Sequence, residues 1–213
     1  MRPGPSPFAR PDCHSQPASK CPRGTNPGRT YRFFNGDAVV PFGWGLSYTN
    51  WSYAVEQPPT TVSLEPLAAL INETTAAGHL FPQVQRQTQV ENSSGWHAQA
   101  TFQVKVTNTG TRDADDVVLG FLVPPGAGKQ GVPLQMLFDF QRVHVKAGQT
   151  ATVALTPSLT DFAQAQLDGS LRATPGEYTV QFGLKGTQPH GMGFAEVPSL
   201  RASLTDLAQA VGE

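Results

Sequence analysis

Apolar and polar residues alternate most regularly between residues 100 and 107, where Ala100, Phe102, Val104 and Val106 are separated by Thr101, Gln103, Lys105 and Thr107. A period of two places one set on a buried face, which predicts a half-buried strand ending at the turn Asn108-Thr109-Gly110. Residues 116–123 are apolar nearly throughout and predict a second strand. It stops at Pro124-Pro125-Gly126, because proline has no amide hydrogen to continue a ladder. Further strands are expected at 137–146, 150–155, 170–173 and 177–184, bounded by Ala147-Gly148, Thr156-Pro157 and Pro175-Gly176. In the last of these Tyr178, Val180, Phe182 and Leu184 form the core face, with Thr179, Gln181 and Gly183 toward solvent. Short strands at this spacing, punctuated by turn residues, predict an all-β antiparallel sandwich.

The flanks read differently. Residues 1–30 hold Pro3, Pro5, Pro7, Pro11, Pro17, Pro22 and Pro27 among Ser, Gly and Arg, the composition of an extended strap. Two apolar runs then flank Asn35-Gly36, a hairpin signal, followed by an aromatic-glycine loop through Tyr48. Phe33, Phe34, Phe42, Trp44 and Tyr48 each offer about 150–250 Å² for burial, so they are expected to pack against something. Residues 58–96 form a connecting segment, opened by Pro58-Pro59, with a short strand or helix at 64–71 and a polar stretch at 83–95. A single helical turn is expected within 159–165, capped by Thr160. In the tail, Leu200, Leu204, Leu207 and Val211 follow Ser199 at intervals of four, three and four residues, which predicts a short amphipathic C-terminal helix.

Composition narrows the function classes. The 213 residues carry 15 Lys and Arg against 16 Asp and Glu, a net charge of -1, with no long block of one sign. Neither nucleic acid nor an anionic membrane is an expected partner. The 21 Gly and 19 Pro argue against a helical bundle. No apolar run is long enough to span a bilayer, and Met1-Arg2-Pro3-Gly4-Pro5 lacks the apolar core of a signal peptide. Three triplets, at Asn50, Asn72 and Asn92, nevertheless fit the N-glycosylation pattern of proteins in the secretory pathway. Cys13 and Cys21 would close a small disulfide loop in an oxidising compartment, a contribution of about 2–3 kcal/mol. With His14 they could instead begin a zinc site, but no second ligand pair follows. Metal and cofactor are therefore not expected.

Catalytic constellations are equally absent from the pattern. His14, His79, His97, His144 and His190 are scattered, and no nucleophile elbow, phosphate loop or H-E-x-x-H is present. Asp113, Asp115 and Asp116 sit by a turn, Asp139 lies in a strand, and Asp161 and Asp168 read as caps or turn formers.

Two sets of motifs point further. Residues 26–34, from Asn26-Pro27-Gly28 to Phe33-Phe34, and Pro41-Phe42-Gly43-Trp44-Gly45-Leu46-Ser47-Tyr48-Thr49 resemble the segment that closes the catalytic part of glycoside hydrolase family three enzymes. Val104-Lys105-Val106-Thr107-Asn108-Thr109-Gly110, Val117-Val118-Leu119, Gly131-Val132-Pro133-Leu134, Phe140-Gln141-Arg142-Val143, Ala147-Gly148-Gln149-Thr150 and Pro175-Gly176-Glu177-Tyr178 resemble that family's appended fibronectin type III-like domain, with a β-xylosidase flavour. The resemblance implies that 1–57 is the remnant of a catalytic α/β sandwich domain, 58–96 the connection, 97–186 the fibronectin type III-like domain and 187–213 a tail. It also implies a secreted parent enzyme that hydrolyses glycosidic bonds, of xylan in that branch. Retaining glycosidases need a nucleophile and an acid/base carboxyl about 5–5.5 Å apart. In the family both lie upstream of these motifs, so no catalytic residue is assigned here and the upstream domains become the expected partner. The chain departs from the family in the length of 49–96, in Asp139 where glycine is usual, and in the extension after 187. A carbohydrate- or protein-binding module acting alone is the alternative reading.

Overall fold

The computed structural model describes residues 28–36, 38, 40–56, 58, 61–78, 100–129, 131–165, 170–183 and 200–206. Among the described residues ten strands and two α-helices follow in order. They are α1 (Thr30–Phe33), β1 (Trp51–Glu56), β2 (Thr61–Val62), α2 (Glu65–Ala76), β3 (Phe102–Asn108), β4 (Ala114–Val123), β5 (Met136–Val145), β6 (Thr150–Leu155), β7 (Ala163–Ala165), β8 (Leu171–Ala173), β9 (Glu177–Phe182) and β10 (Leu200–Asp206). The main sheets have the orders β1-β3-β6 and β2-β10-β9-β4-β5, with β7-β8 as a small ribbon. All pairings are antiparallel except the short β10–β2 contact.

The core lies between the two main sheets, where the alternation predicted it. Phe102, Val104, Val106, Val153 and Leu155 from one sheet meet Val118, Leu122, Tyr178, Val180 and Phe182 from the other. The rings of Phe102 and Phe182 sit 5.4 Å apart across the sandwich, and Phe138 meets Phe182 edge-on at 6.5 Å. Apolar burial of this kind supplies the main driving force, about 25 cal/mol per Å². At the head of β9 the Tyr178 hydroxyl donates to the Thr174 carbonyl at 2.6 Å, the tyrosine corner seen in immunoglobulin-like sandwiches. Phe162 closes over that ring at 5.1 Å.

A bulge shapes the β4–β5 pair. Gly120 pairs with Asp139 while Phe121 pairs with Leu137, which leaves Phe138 as the extra residue in β5. A Cβ on residue 120 would stand 2.6 Å from the Phe138 ring, so the close approach requires glycine there. Asp139 is held by two backbone amides, Phe140 N at 2.8 Å and Thr156 N at 3.1 Å. The carboxylate thus ties β5 to the end of β6, a tether that glycine cannot make.

Several expectations are corrected. Asn35-Gly36 makes no hairpin: Thr30–Phe33 is one helical turn, fixed from a distance by Leu134 N donating to Arg32 O at 2.6 Å and Leu137 N donating to the Tyr31 hydroxyl at 3.2 Å. Trp51–Glu56, read as part of an upstream remnant, pairs along its whole length with β3. The short strand or helix expected at 64–71 is indeed a helix, with residues 65–71 in α2 behind the cap Leu64, and its Leu67 enters the core. Ser158, not Thr160, caps the turn Leu159–Phe162, its amide and hydroxyl both donating to Asp161 Oδ2 at 2.7 Å. Gln181 and Gly183 are buried rather than solvent-facing. Residues 200–206 form a strand paired to β9, not an amphipathic helix. Residues 1–27 of the strap expected at 1–30, with Cys13, Cys21 and His14, and also His79, Asn92, His97, Asp168, His190 and the remainder of the tail lie outside the described residues.

Candidate docking surface

The aromatic residues singled out in the sequence do not gather in one place. Phe42 stacks on Tyr31, with ring centroids 4.1 Å apart and planes 17° apart, and both rings approach Phe121 edge-on at 6.2 and 6.0 Å. Phe121 is fully buried yet belongs to the outer face of β4, away from the inter-sheet core. Residues 31 and 42 therefore cover the outside of the larger sheet. Phe33 and Phe34 are half-buried at the end of α1, with the Arg32 guanidinium 5.6 Å from the Phe33 ring centre. Trp44 is half-buried in the following turn, its amide donating to Pro41 O at 3.1 Å. Tyr48 stands 90% exposed.

Sequence reasoning missed two partners of this seam, Tyr31 and Phe121, and the apolar surface that continues it. Val117 and Phe140 are 43% and 61% exposed on the outer face of β4–β5, and Leu119 pairs with Phe140 between them and Phe121. The signal was available in the near-continuous apolar run of β4, which a strand needs only when both faces are covered.

Polar chemistry borders this face. Asp115 accepts from the Arg142 guanidinium at 2.8 and 2.6 Å and meets His144 Nδ1 at 2.6 Å. The His144 contact first, and Arg142 second, hold the exposed Asp115 carboxyl below its usual range. Asp113 accepts from Ala147 N at 2.8 Å. Asp161 is pushed up by burial, against the bonds from Ser158. Among the described residues no group of three His, Cys, Asp or Glu side chains is placed to hold a metal ion. No described helix is long and apolar enough to cross a membrane. Asn50 and Asn72 are exposed, Asn50 just before β1 and Asn72 within α2.

One carboxylate faces inward. The Tyr53 hydroxyl of β1 donates to Asp116 Oδ2 of β4 at 2.5 Å, bridging the two sheets. Burial raises the Asp116 pKa, against the bond from Tyr53, and burial together with the neighbouring carboxylate raises that of Tyr53. A carboxyl whose pKa is higher folded than unfolded contributes stability at pH below its unfolded value, and that contribution is lost as pH rises through the folded value. Asp116→Asn keeps an acceptor for Tyr53 without burying a charge. Its unfolding midpoint relative to the native chain is expected to be most favourable at pH 7 and to lose that advantage toward pH 3. Thermal melts across this range check the sign.

Residues 116–185 match the family model of the fibronectin type III-like domain. A probable exo-1,4-beta-xylosidase of Aspergillus clavatus is 36% identical over 163 residues, covering 74% of this chain and 18% of that protein. Beta-D-xylosidase 1 of Arabidopsis thaliana is 33% identical over 132 residues, covering 61% and 16%. The crystal structure of a GH3 beta-glucosidase of Bifidobacterium adolescentis matches with a TM-score of 0.51 at 20% identity, over 86% of this chain and 21% of that one, a likeness of fold. This chain thus spans less than a fifth of the length of these two curated relatives. It carries a fibronectin type III-like domain at residues 116–185 and, over its matched length, fits the C-terminal part of a glycoside hydrolase family three enzyme.

Proposed function

We propose that the chain is the C-terminal portion of a secreted β-xylosidase-like glycoside hydrolase, a structural module that supports an active site built elsewhere in the polypeptide. The observation that carries this reading is the engagement of the described aspartates. Asp113 and Asp139 accept backbone amides, Asp161 closes a capping box, Asp115 is bound by Arg142 and His144, and Asp116 is bound by Tyr53. A retaining pair must instead face each other across about 5–5.5 Å of open cleft, one carboxylate free to attack and one carboxyl free to give its proton. The similarity to xylosidases more than five times as long as the matched stretch supports the same reading.

In this role the partners are the upstream catalytic domains, and xylan or another oligosaccharide is met only through them. The exposed N-glycosylation triplets at Asn50 and Asn72 fit the secretory route. The purified 213-residue chain is expected to release no aryl leaving group from an aryl β-xyloside above the buffer rate. Turnover that follows the chain through purification would contradict the proposal.

A binding module is the second reading, favoured by the exposure of Tyr48 and Phe42, since flat aromatic faces suit pyranose rings. Tryptophan fluorescence during titration with xylan oligomers distinguishes the two. A saturable change supports binding, and a flat trace at millimolar ligand excludes it.

A further inference from the structure

We infer that Asn50 carries an N-linked glycan and that the ring of Tyr48 is the platform on which its first N-acetylglucosamine rests. The inference goes beyond the proposed function: it draws on the secretory route in that reading and is independent of the hydrolase.

Residues 48–52, Tyr48-Thr49-Asn50-Trp51-Ser52, contain an acceptor triplet with an aromatic residue two places before its asparagine. The stretch leads into β1 and is fastened at alternate residues. The Thr49 hydroxyl donates to Asn108 Oδ1 at 2.6 Å, and Trp51 packs against the core while its Nε1 donates to Ser47 Oγ at 3.0 Å. Thr109 N donates to Asn50 O at 2.8 Å, which fixes the main chain of the acceptor. Tyr48, Asn50 and Ser52, which alternate with those anchors, are exposed. A glycan needs that exposure, because it is bulky and strongly hydrated.

Tyr48 is 90% exposed, the largest value among the described large hydrophobic side chains. Its Cα lies at most about 7 Å from that of Asn50, the span of two extended residues. A pyranose joined to the asparagine side-chain nitrogen is within reach of it. One face of that sugar is lined by C–H groups and matches the flat apolar face of a tyrosine, whose hydroxyl stays in water. Because Thr49 and Trp51 already tie this stretch to the sandwich, the sugar meets a platform that is ordered before it arrives.

The other described triplet has no such platform. Asn72 is exposed within α2, but the residue two before it is the half-buried Leu70, about 200° away around the helix. The hydroxyl of that triplet's Thr74 is bonded to Leu70 O at 2.7 Å.

The test expresses the full 213-residue chain behind a cleavable leader in a yeast secretory host, with Asn72→Gln and Asn92→Gln leaving Asn50 as the one acceptor triplet. Occupancy of Asn50 is read by peptide mass mapping on the secreted and the cell-retained chain alike. Melting temperatures are then compared in a cycle of Tyr48→Ala against Asn50→Gln, with endoglycosidase trimming to a single N-acetylglucosamine as a further arm. The expected result is an occupied Asn50 whose glycan, whole or trimmed, raises the midpoint by about 2–4 °C in the chain with Tyr48. Tyr48→Phe keeps the shift and Tyr48→Ala abolishes it, whereas in the Asn50→Gln chain Tyr48→Ala changes little. An Asn50 left bare in both fractions overturns the inference. So does an occupied Asn50 whose glycan shifts the midpoint equally with and without the Tyr48 ring. Either failure leaves the hydrolase reading standing, since turnover of an aryl β-xyloside tests that separately.

Discussion

Phe182→Ala is expected to lower the stability of the chain by about 3–5 kcal/mol, the usual cost of emptying a buried aromatic site. Phe182 is fully buried and stands where three strands converge, meeting Phe102 of β3 across the sandwich and Phe138 of β5 within its own sheet. Truncation removes the ring and leaves Phe102 and Phe138 facing a void that the paired strands cannot collapse, because each backbone is fixed by its ladder. Against a total margin of about 5–15 kcal/mol the loss is a large fraction of the whole. Phe182→Leu, which keeps much of the volume, is expected to lose far less. Urea unfolding of the three proteins measures the order directly, and equal midpoints for Ala and the native residue would show that the inter-sheet core is not where the stability resides.

Asn108→Ala is expected to cost about 2–4 kcal/mol, although it removes no apolar contact. The side chain is fully buried and uses every donor and acceptor it can present in four bonds. Its amide donates to Arg112 O at 2.7 Å and to Val145 O at 3.0 Å, and its oxygen accepts from the Thr49 hydroxyl at 2.6 Å and Gly110 N at 3.1 Å. One residue therefore joins the segment before β1, the turn between β3 and β4, and the end of β5. Alanine leaves those groups without a partner, at about 1–3 kcal/mol for each that stays buried. Asn108→Asp is expected to be no better at pH 7, since a carboxylate would face the Arg112 and Val145 carbonyls. It should recover as pH falls and the carboxyl takes up a proton able to donate. If Asn108→Ala melts with the native chain, the junction is ornamental and water replaces it freely.

The sandwich was legible where the period of two was clean and both ends of a strand were punctuated. Residues 100–106 and 178–182 are the clearest cases, and the structure buries the alternate residues the pattern marked, with Gln181 the exception. Trp51, Tyr53 and Val55 alternate just as well, but the chain there followed the aromatic loop so closely that it was read as the tail of another domain. Asn35-Gly36 carried a local hairpin signal that long-range bonds from Arg32 and Tyr31 to β5 override. The interval of four between Leu200 and Leu204 suits a helix and a strand alike, and the unpaired side of β9 decides in favour of the strand.

The docking surface was legible only in part for a related reason. Counting large aromatics named Phe42 and Tyr48, whereas Val117 and Phe140 gain meaning only once β4 and β5 are paired and their outer face is seen beside the Phe121 seam. Asn108 looked like an ordinary turn residue, because nothing in a single sequence shows that Thr49 and Val145 converge on it.

The most direct test of the central claim is the mass of the native polypeptide, found with an antibody raised against residues 97–186. A band several times heavier than 22.8 kDa is the expected result and would place this sequence at the end of a complete glycosidase. A band at 22.8 kDa, or heavier only by glycans, would contradict it and leave a free-standing protein whose exposed aromatic surface serves another partner.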